Sequence, residues 1–263
     1  ESLRQWAHRS REGDFSEVSD GDPSWAWRAL ASSTRENCLG SACPRKADCH
    51  HDRARREAAS ADWVILNHHL FLAEMQGDQG QEPAWLSNRQ TVVFDEAHRL
   101  PDIGRQLLGR SLGSQRLQAF ARDLTLQGAL WAKGLHPWAY LALTIEQAVR
   151  QVDRLAPADQ SAGRRGRWQD GCPQGVERPA WRAAVLSVDT ALVAAFDALR
   201  TTATASADMQ HLLERAHALV DDWRQLVRES ERDDEARWME WSSGAPEGLG
   251  WRLVHAPVDT SRI

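Results

Sequence analysis

Apolar side chains recur at helical spacing through the second half of the chain, and this periodicity limits most strongly what the chain can fold into. Between residues 208 and 233 they recur at steps of three and four, which places them on one face of an α-helix. Similar patterns predict further helices at residues 114–131, 137–155 and 180–203. We therefore expect this half of the chain to be a helical domain.

Short apolar runs elsewhere indicate a few β-strands. Residues 63–66 and 91–94 are compact apolar runs, which are typical of buried strands. In the tail, residues 237–241 and 251–255 alternate around a Ser-Gly-Ala-Pro sequence, which predicts a β-hairpin. The Gly- and Arg-rich stretch Ser161–Gly175 is predicted to be a mobile loop between two helices.

Composition excludes several classes of protein. No apolar run approaches the roughly 20 residues that a membrane-spanning helix needs. Residues 1–8 are charged and lack the apolar region of a signal peptide, so we expect that they are not one. Because the sequence does not open with Met, we expect it to be an internal piece of a longer protein. The net charge of -5 argues against a generally basic nucleic-acid coat but allows a local basic patch.

Three of the four cysteines, Cys38, Cys43 and Cys49, fall within twelve residues. Without a secretory signal, such a cluster indicates a metal site rather than a disulfide framework. Thiolates are soft ligands that suit zinc or an iron–sulfur cluster, and both usually take four protein ligands. His50 or His51 would complete a zinc site, whereas a cysteine upstream of the first residue would complete a cluster. The fourth cysteine, Cys172, lies in a turn sequence and is predicted to be a free thiol.

The cysteine region carries a local positive charge. Residues 27–56 contain seven basic and three acidic side chains, although the whole chain is acidic. This excess suits contact with phosphate groups, but a solvated helix face is an equally open interpretation. The basic residues nearest the cysteines, which are the candidate DNA contacts, are Arg45, Lys46, Arg53, Arg55 and Arg56.

Asp95-Glu96-Ala97-His98 follows the second apolar run directly. Ligands bind at the carboxyl ends of strands in open α/β sheets, where an Asp can hold the Mg²⁺ of a nucleotide. The adjacent Glu can orient and deprotonate an attacking water. The structural alternative is a strand that leads into a helix, with Asp95 as the cap and Glu96 favoured by the helix dipole.

Together these motifs resemble the XPD/DinG family of iron–sulfur superfamily 2 DNA helicases. The DEAH sequence resembles their Walker B box, and Ala61–Leu72 (ADWVILNHHLFL) resembles the segment between their cysteines and that box. Asn37–Cys43 with Cys49 looks most like the bacterial YoaA-like branch. The resemblance is strong over residues 24–113, and the helical remainder resembles the Arch insertion in position and type.

The resemblance implies a fold that is mostly α with a few β-strands. Helical iron–sulfur and Arch segments would flank part of a RecA-like α/β motor domain. The implied domains are an incomplete iron–sulfur region at 1–60, part of motor domain 1 at 61–112, a helical Arch-like domain at 113–236 and a returning β-hairpin at 237–263.

The resemblance also assigns roles to individual residues. In the family four cysteines hold a 4Fe–4S cluster, and the three clustered cysteines match the second, third and fourth of them. The first would lie outside this chain. Asp95 and Glu96 match the Mg²⁺-binding and water-activating pair, and His98 matches the histidine that couples the nucleotide site to the DNA-bound state.

The chain departs from the family in two ways. No Gly-x4-Gly-Lys-[Ser/Thr] sequence occurs in it. Without this phosphate-binding loop there is no complete ATP site, and the second motor domain is also missing. We therefore expect this segment alone not to hydrolyse ATP.

The parent protein would be a monomeric, ATP-dependent 5′-to-3′ DNA helicase of DNA repair or replication. It would act in the bacterial cytoplasm at the nucleoid, on single-stranded or forked DNA. A repair or replication protein is its expected partner, and no membrane is expected. Two other functions remain open: a zinc-stabilised nucleic-acid-binding module without enzymatic activity, and a helical scaffold for protein interactions.

The chain has 13 Trp but only one Tyr and five Phe. Trp63, Trp138 and Trp223 lie in apolar patterns and are predicted to be core residues. Trp238 and Trp241 are three apart on a predicted strand, so they should face opposite sides. Trp168, in an Arg-rich stretch, is the best candidate to stack on a DNA base.

Overall fold

The computed structural model divides the chain into two compact units, residues 1–97 and 98–263, and each is described by itself. The structure describes residues 2–14, 38–75, 86, 91–157, 164–169, 171–228, 235–245 and 248–257.

Short helices make up the first unit. They are α1 (Ser2–Arg9), α2 (His50–Ser60) and α3 (His68–Met75), with single 3₁₀ turns at Gly40–Ala42 and Lys46–Asp48. The side chain of Asn67 accepts a hydrogen bond of 2.7 Å from the Leu70 N–H, which caps the start of α3.

The predicted strands at residues 63–66 and 91–94 are wrong for the described structure. Both segments lack strand pairing there, and their side chains are exposed: Trp63 by 88%, Ile65 by 98% and Val93 by 82%. A strand is stable only when neighbouring strands satisfy its backbone groups, and the described residues of this unit supply none. Trp63 is therefore not a core residue here, and the described residues show no RecA-like sheet.

Helices dominate the second unit, as the periodicity predicts. Each of the four long helices begins and ends within a few residues of its predicted bounds, except that the last one ends earlier, at Leu226. Successive helices pack on one another and the last packs on the first, which closes a four-helix bundle. The helices of this unit are α4 (Leu100–Leu108), α5 (Ser114–Trp131), α6 (Trp138–Asp153), α7 (Arg178–Arg200) and α8 (Ala207–Leu226).

In the described ranges, no helix combines the length and the apolar content that crossing a membrane requires.

An antiparallel sheet of five strands packs on this bundle. The strands are β1 (Arg110–Gly113), β2 (Arg164–Gln169), β3 (Cys172–Pro173), β4 (Glu235–Ala245) and β5 (Gly248–Pro257). Their order in the sheet is β1-β5-β4-β2-β3. The tail hairpin is present as β4 and β5, although it begins and ends at other residues than predicted.

The loop predicted at Ser161–Gly175 is wrong, because β2 and β3 lie within it. β2 pairs with β4, so that Gly166 lies opposite Met239. A Cβ atom at Gly166 would come within 2.8 Å of the Trp241 ring, so a glycine is required where this ring crosses the strand. The glycine that suggests a loop is thus a packing residue of the sheet.

Trp251 of β5 joins the sheet to the bundle. Its side chain is 3% exposed, and its indole N–H donates to the Val149 carbonyl of α6 at 3.4 Å. Its backbone N–H donates to the hydroxyl of Ser114 at the start of α5, at 3.2 Å. Its ring centroid lies 6.0 Å from that of Trp223 on α8. One residue therefore contacts three helices.

Trp138 closes the turn between α5 and α6. The ring is 5% exposed, and its N–H donates to the Ala132 carbonyl at 2.8 Å. It lies directly against Gly128, where an added Cβ would come within 2.3 Å of the ring. The predicted core positions of Trp138 and Trp223 are confirmed, and the two helices meet closely because Gly128 has no side chain.

Gly128→Ala should lower the free energy of unfolding by about 1–2 kcal/mol. Alanine gains up to about 1 kcal/mol in helix propensity, but overpacking against Trp138 costs about 1–3 kcal/mol. Denaturant unfolding measures the change. Gly128→Ala in a Trp138→Ala background is the control, since the collision is then absent and the substitution should stabilise. A stabilised single variant would contradict the packing.

A half-buried carboxyl ends α6. Burial raises the pKa of Asp153 from 3.8 to about 6, against the opposing effect of Arg150. Its Oδ1 atom is buried and has no hydrogen-bond partner among the described residues. A carboxylate without a donor is poorly stabilised when ionised. Asp153 therefore favours the folded state when it is protonated.

Asp153→Asn should raise the free energy of unfolding at pH 7 by about 1 kcal/mol, after allowance for solvent screening at this half-exposed group. The raised pKa means that the folded state binds the proton of Asp153 more tightly than the unfolded state does. The stability that the protonated Asp153 contributes is therefore complete below pH 3.8 and is lost as the pH rises through about 6. Denaturant unfolding at pH 4 and pH 7 should show a gain only at pH 7. Asp197→Asn, an exposed pair partner of Arg200, is the control. Equal effects at both pH values would refute the assignment.

Candidate functional site

The Asp-Glu-Ala-His sequence forms an exposed turn. Asp95 and Glu96 lie in the turn itself, and His98 lies in the single 3₁₀ turn Ala97–Arg99 that follows. All three side chains are exposed. The two adjacent carboxyl groups are thus accessible to a cation and to the phosphates of a nucleotide.

Glu96 has a left-handed backbone conformation with φ of 49°. Among the described residues it is the one non-glycine position with positive φ. A residue with a Cβ pays about 1–2 kcal/mol for this conformation. Strain of this kind is concentrated at functional sites, where the surrounding structure maintains it.

Phe94, directly before the turn, packs on α3. Its ring lies 5.1 Å from that of Phe71, edge to face, and 6.1 Å from the His68 ring, nearly parallel. His68 is therefore a packing residue, and α3 positions the start of the turn.

An ion pair joins α2 to α3. The guanidinium of Arg55 contacts the carboxylate of Glu74, whose side chain is 19% exposed. α2 begins directly after the last clustered cysteine, Cys49, whose carbonyl accepts the Arg53 N–H at 3.0 Å. A series of contacts therefore connects the cysteine region, α2, α3 and Phe94.

The three clustered cysteines flank two consecutive 3₁₀ turns, Gly40–Ala42 and Lys46–Asp48. Cys43 follows the first turn and Cys49 the second; both are half-buried, while Cys38 is exposed. None forms a disulfide. Where the structure describes the chain, no three His, Cys, Asp or Glu side chains converge into a metal-binding group. The thiol set suits iron or zinc chemically, but this arrangement is not a preformed cage, so binding would require the thiols to converge.

Cys172 lies in the second unit and is a free, buried thiol, as predicted. Its sulfur is 3.7 Å from the carbonyl oxygens of Gln169 and Val176. It is the first residue of the short strand β3 and belongs to the apolar core.

The predicted basic residues each have an acidic partner. All are exposed, so the pairs are weak and exchangeable with phosphate, but they neutralise much of the local charge. The pairs are Arg45 with Asp48 at 4.0 Å, Lys46 with Asp52 at 3.9 Å, Arg53 with Glu57 at 3.9 Å, Arg56 with Asp52 at 3.3 Å, and Arg55 with Glu74.

Trp168 lies on β2 and faces the bundle. Its ring is partly buried and meets Trp181 of α7 edge to face at 5.5 Å. The neighbouring side chains Arg165 and Arg167 are exposed instead. Sequence reasoning missed these two arginines, although the alternation of Arg165, Gly166, Arg167 and Trp168 is a period-two signal for a strand.

Comparisons with known proteins place the chain beside bacterial helicases. No family model matches the chain. It is 34% identical over 219 residues to the ATP-dependent DNA helicase YoaA of Escherichia coli, which covers 81% of this chain and 32% of that protein. It is 30% identical over 179 residues to YoaA of Haemophilus influenzae, covering 68% and 28%. It is 36% identical over 124 residues to the ATP-dependent helicase DinG of Mycobacterium tuberculosis, covering 47% and 18%.

The two YoaA matches cover most of this chain. The chain nevertheless spans only about a third of the length of these curated relatives. The predicted resemblance to DinG/YoaA-like helicases is confirmed.

Proposed function

We propose that this chain, a DinG/YoaA-like helicase segment by similarity, belongs to an ATP-dependent DNA helicase and contributes part of its nucleotide site. The observation that carries the proposal is similarity to a YoaA helicase over 81% of the chain. The Asp-Glu-Ala-His sequence adds to it, because its carboxyl groups lie in an exposed turn and Glu96 has a strained backbone.

The chemistry of the turn follows from its two carboxylates. Asp95 would hold Mg²⁺, which supplies positive charge at the transferred phosphoryl group when it is bound. Glu96 orients the attacking water and accepts its proton. To His98 we assign the coupling between this site and DNA, as in the helicases that the sequence resembles.

The segment alone is proposed to be inactive in ATP hydrolysis. Its sequence has no phosphate-binding loop and therefore no lysine to contact the β- and γ-phosphates. The full-length protein would move 5′ to 3′ along single-stranded DNA during repair or replication.

We further propose that Cys38, Cys43 and Cys49 hold three irons of a 4Fe–4S cluster, with a fourth ligand from elsewhere in the protein. The support is the soft thiol donor set within twelve residues. The small surrounding region has few buried side chains among its described residues, so a cluster would stabilise a fold with little core.

Glu96→Gln in the full-length protein should lower DNA-stimulated ATP hydrolysis by at least about 100-fold, because the amide cannot accept the proton of the water. ATP binding should persist, since Asp95 is unchanged. Phosphate release and nucleotide binding measure the two effects. Glu146→Gln, on α6, is the control and should leave the rate unchanged. Full activity of Glu96→Gln would refute the role assigned to Glu96. Turnover by the 263-residue chain alone would refute the proposed inactivity of the segment.

The purified full-length protein should be brown, with broad absorbance at about 400 nm. Cys43→Ser and Cys49→Ser should each reduce this absorbance and the iron content, because each removes a thiolate ligand. Cys172→Ser is the matched control and should retain both. Colourless protein with stoichiometric zinc would refute the cluster and support a zinc-stabilised module instead.

A further inference from the structure

The pairing register of the sheet sorts side chains of β2, β4 and β5 onto two faces. Met239 pairs with Leu253 and Trp241 with Trp251, and these four buried residues face the bundle. Because successive side chains alternate, the residues between them face away. The resulting outer sheet face consists of Arg165, Arg167, Trp238, Glu240 and Arg252.

Glu240, the one acidic side chain of the outer sheet face, is paired with its neighbours at the centre of that face. The Arg165 guanidinium lies 2.9 Å from the Glu240 carboxylate and 5.5 Å from the centroid of the Trp238 ring. The Trp238 N–H donates to the same carboxylate at 2.8 Å. Glu240 is therefore satisfied within the face, and Arg165 is held over an aromatic ring while its side chain remains 67% exposed.

Two further arginines flank this centre. Arg167 lies opposite Trp238 on one side, and Arg252 lies opposite Glu240 on the other. Both are exposed, and neither has an acidic partner in the portion of the chain that the structure describes. With three arginines and one glutamate, the face carries two net positive charges on a chain of net charge -5.

These free cations distinguish the face from the basic residues beside the cysteines. There, each cation already has a carboxylate partner, which a phosphate would have to displace. Arg167 and Arg252 have no carboxylate partner among the described residues, so they can neutralise phosphates, and release the counterions condensed on the nucleic acid, without displacing one. They are two strands apart, about 10 Å across the sheet, and so suit two different phosphates.

The face lacks the apolar core that a protein partner needs. Farther along β5, the outward residues Val254 and Ala256 are already buried, and α4 packs on this strand. The remaining aromatic ring, Trp238, is half-buried and holds Arg165. Protein interfaces depend on buried apolar or aromatic anchors, whereas nucleic-acid interfaces are polar and positively charged.

We infer that the outer sheet face binds the phosphates of single-stranded DNA through Arg167 and Arg252, with Arg165 between them. The inference rests on the proposed helicase function, to which it adds a DNA contact that does not involve the cysteine region or the Asp-Glu-Ala-His turn.

The test is the salt dependence of binding between this chain and a labelled oligothymidylate. Arg167→Ala/Arg252→Ala should lower the slope of log K against log salt by about 1.4, because each lost phosphate contact on a single strand contributes about 0.7. The affinity near 0.1 M salt should fall roughly twentyfold. The matched control is Arg122→Ala/Arg154→Ala, which removes the same charge from exposed helical and helix-end positions and should leave the slope unchanged.

The outcomes separate the two proposals. If full-length wild-type protein shows DNA-stimulated ATP hydrolysis but the double variant of the chain binds DNA like wild type, the outer sheet face is not a DNA site and the helicase function stands. Equal losses in the double variant and the control would also overturn the inference, because the effect would then be net charge alone. If the full-length protein neither hydrolyses ATP nor binds DNA, both proposals fail. Unchanged thermal unfolding of each variant shows that the fold is intact.

Discussion

The contact of Trp251 with the helical bundle determines the geometry of the second unit. An indole ring has a large apolar body and one N–H that needs an acceptor when it is buried. Trp251 satisfies both requirements at once, through its ring contact with Trp223 and its hydrogen bond to Val149. These contacts fix which residues of β5 face inward. Because paired residues on neighbouring strands face the same side, they also fix which residues of β4 and β2 face inward. The exposure of Arg165 and Arg167 therefore depends on a tryptophan two strands away.

The helices could be predicted because their signal is local. Apolar residues at steps of three and four specify a buried face whatever the helix packs against, and α5 matches its predicted bounds. Strands are different, since their pairing partners are distant in sequence. Residues 63–66 and 91–94 have strand-like composition but no partners among the described residues, whereas β2 looked like a loop and pairs with β4.

The candidate site divides in the same way. The sequence was enough to find Asp95, Glu96 and His98, because they lie together in one short motif. The left-handed backbone of Glu96 could not be predicted, since it depends on surrounding structure rather than on residue type. Nor could the pairing of Arg55 with Glu74, 19 residues apart, which removes one of the cations that the sequence offers for DNA. Composition predicts the sign of a charge, but the fold decides whether that charge is neutralised.

This distinction changes how the basic residues of the chain rank as DNA contacts. The cysteine region is richer in arginine, but each of its five candidate cations is paired with a carboxylate of the same region or of α3. The outer sheet face has fewer cations, yet its single carboxylate is satisfied by Arg165 and Trp238, so Arg167 and Arg252 remain uncompensated among the described residues. Counterion release depends on uncompensated charge rather than on the number of basic residues. On this physical ground the strand that carries Arg165 and Arg167 is better suited to phosphate binding than α2, even though it lies in a chain that is acidic overall.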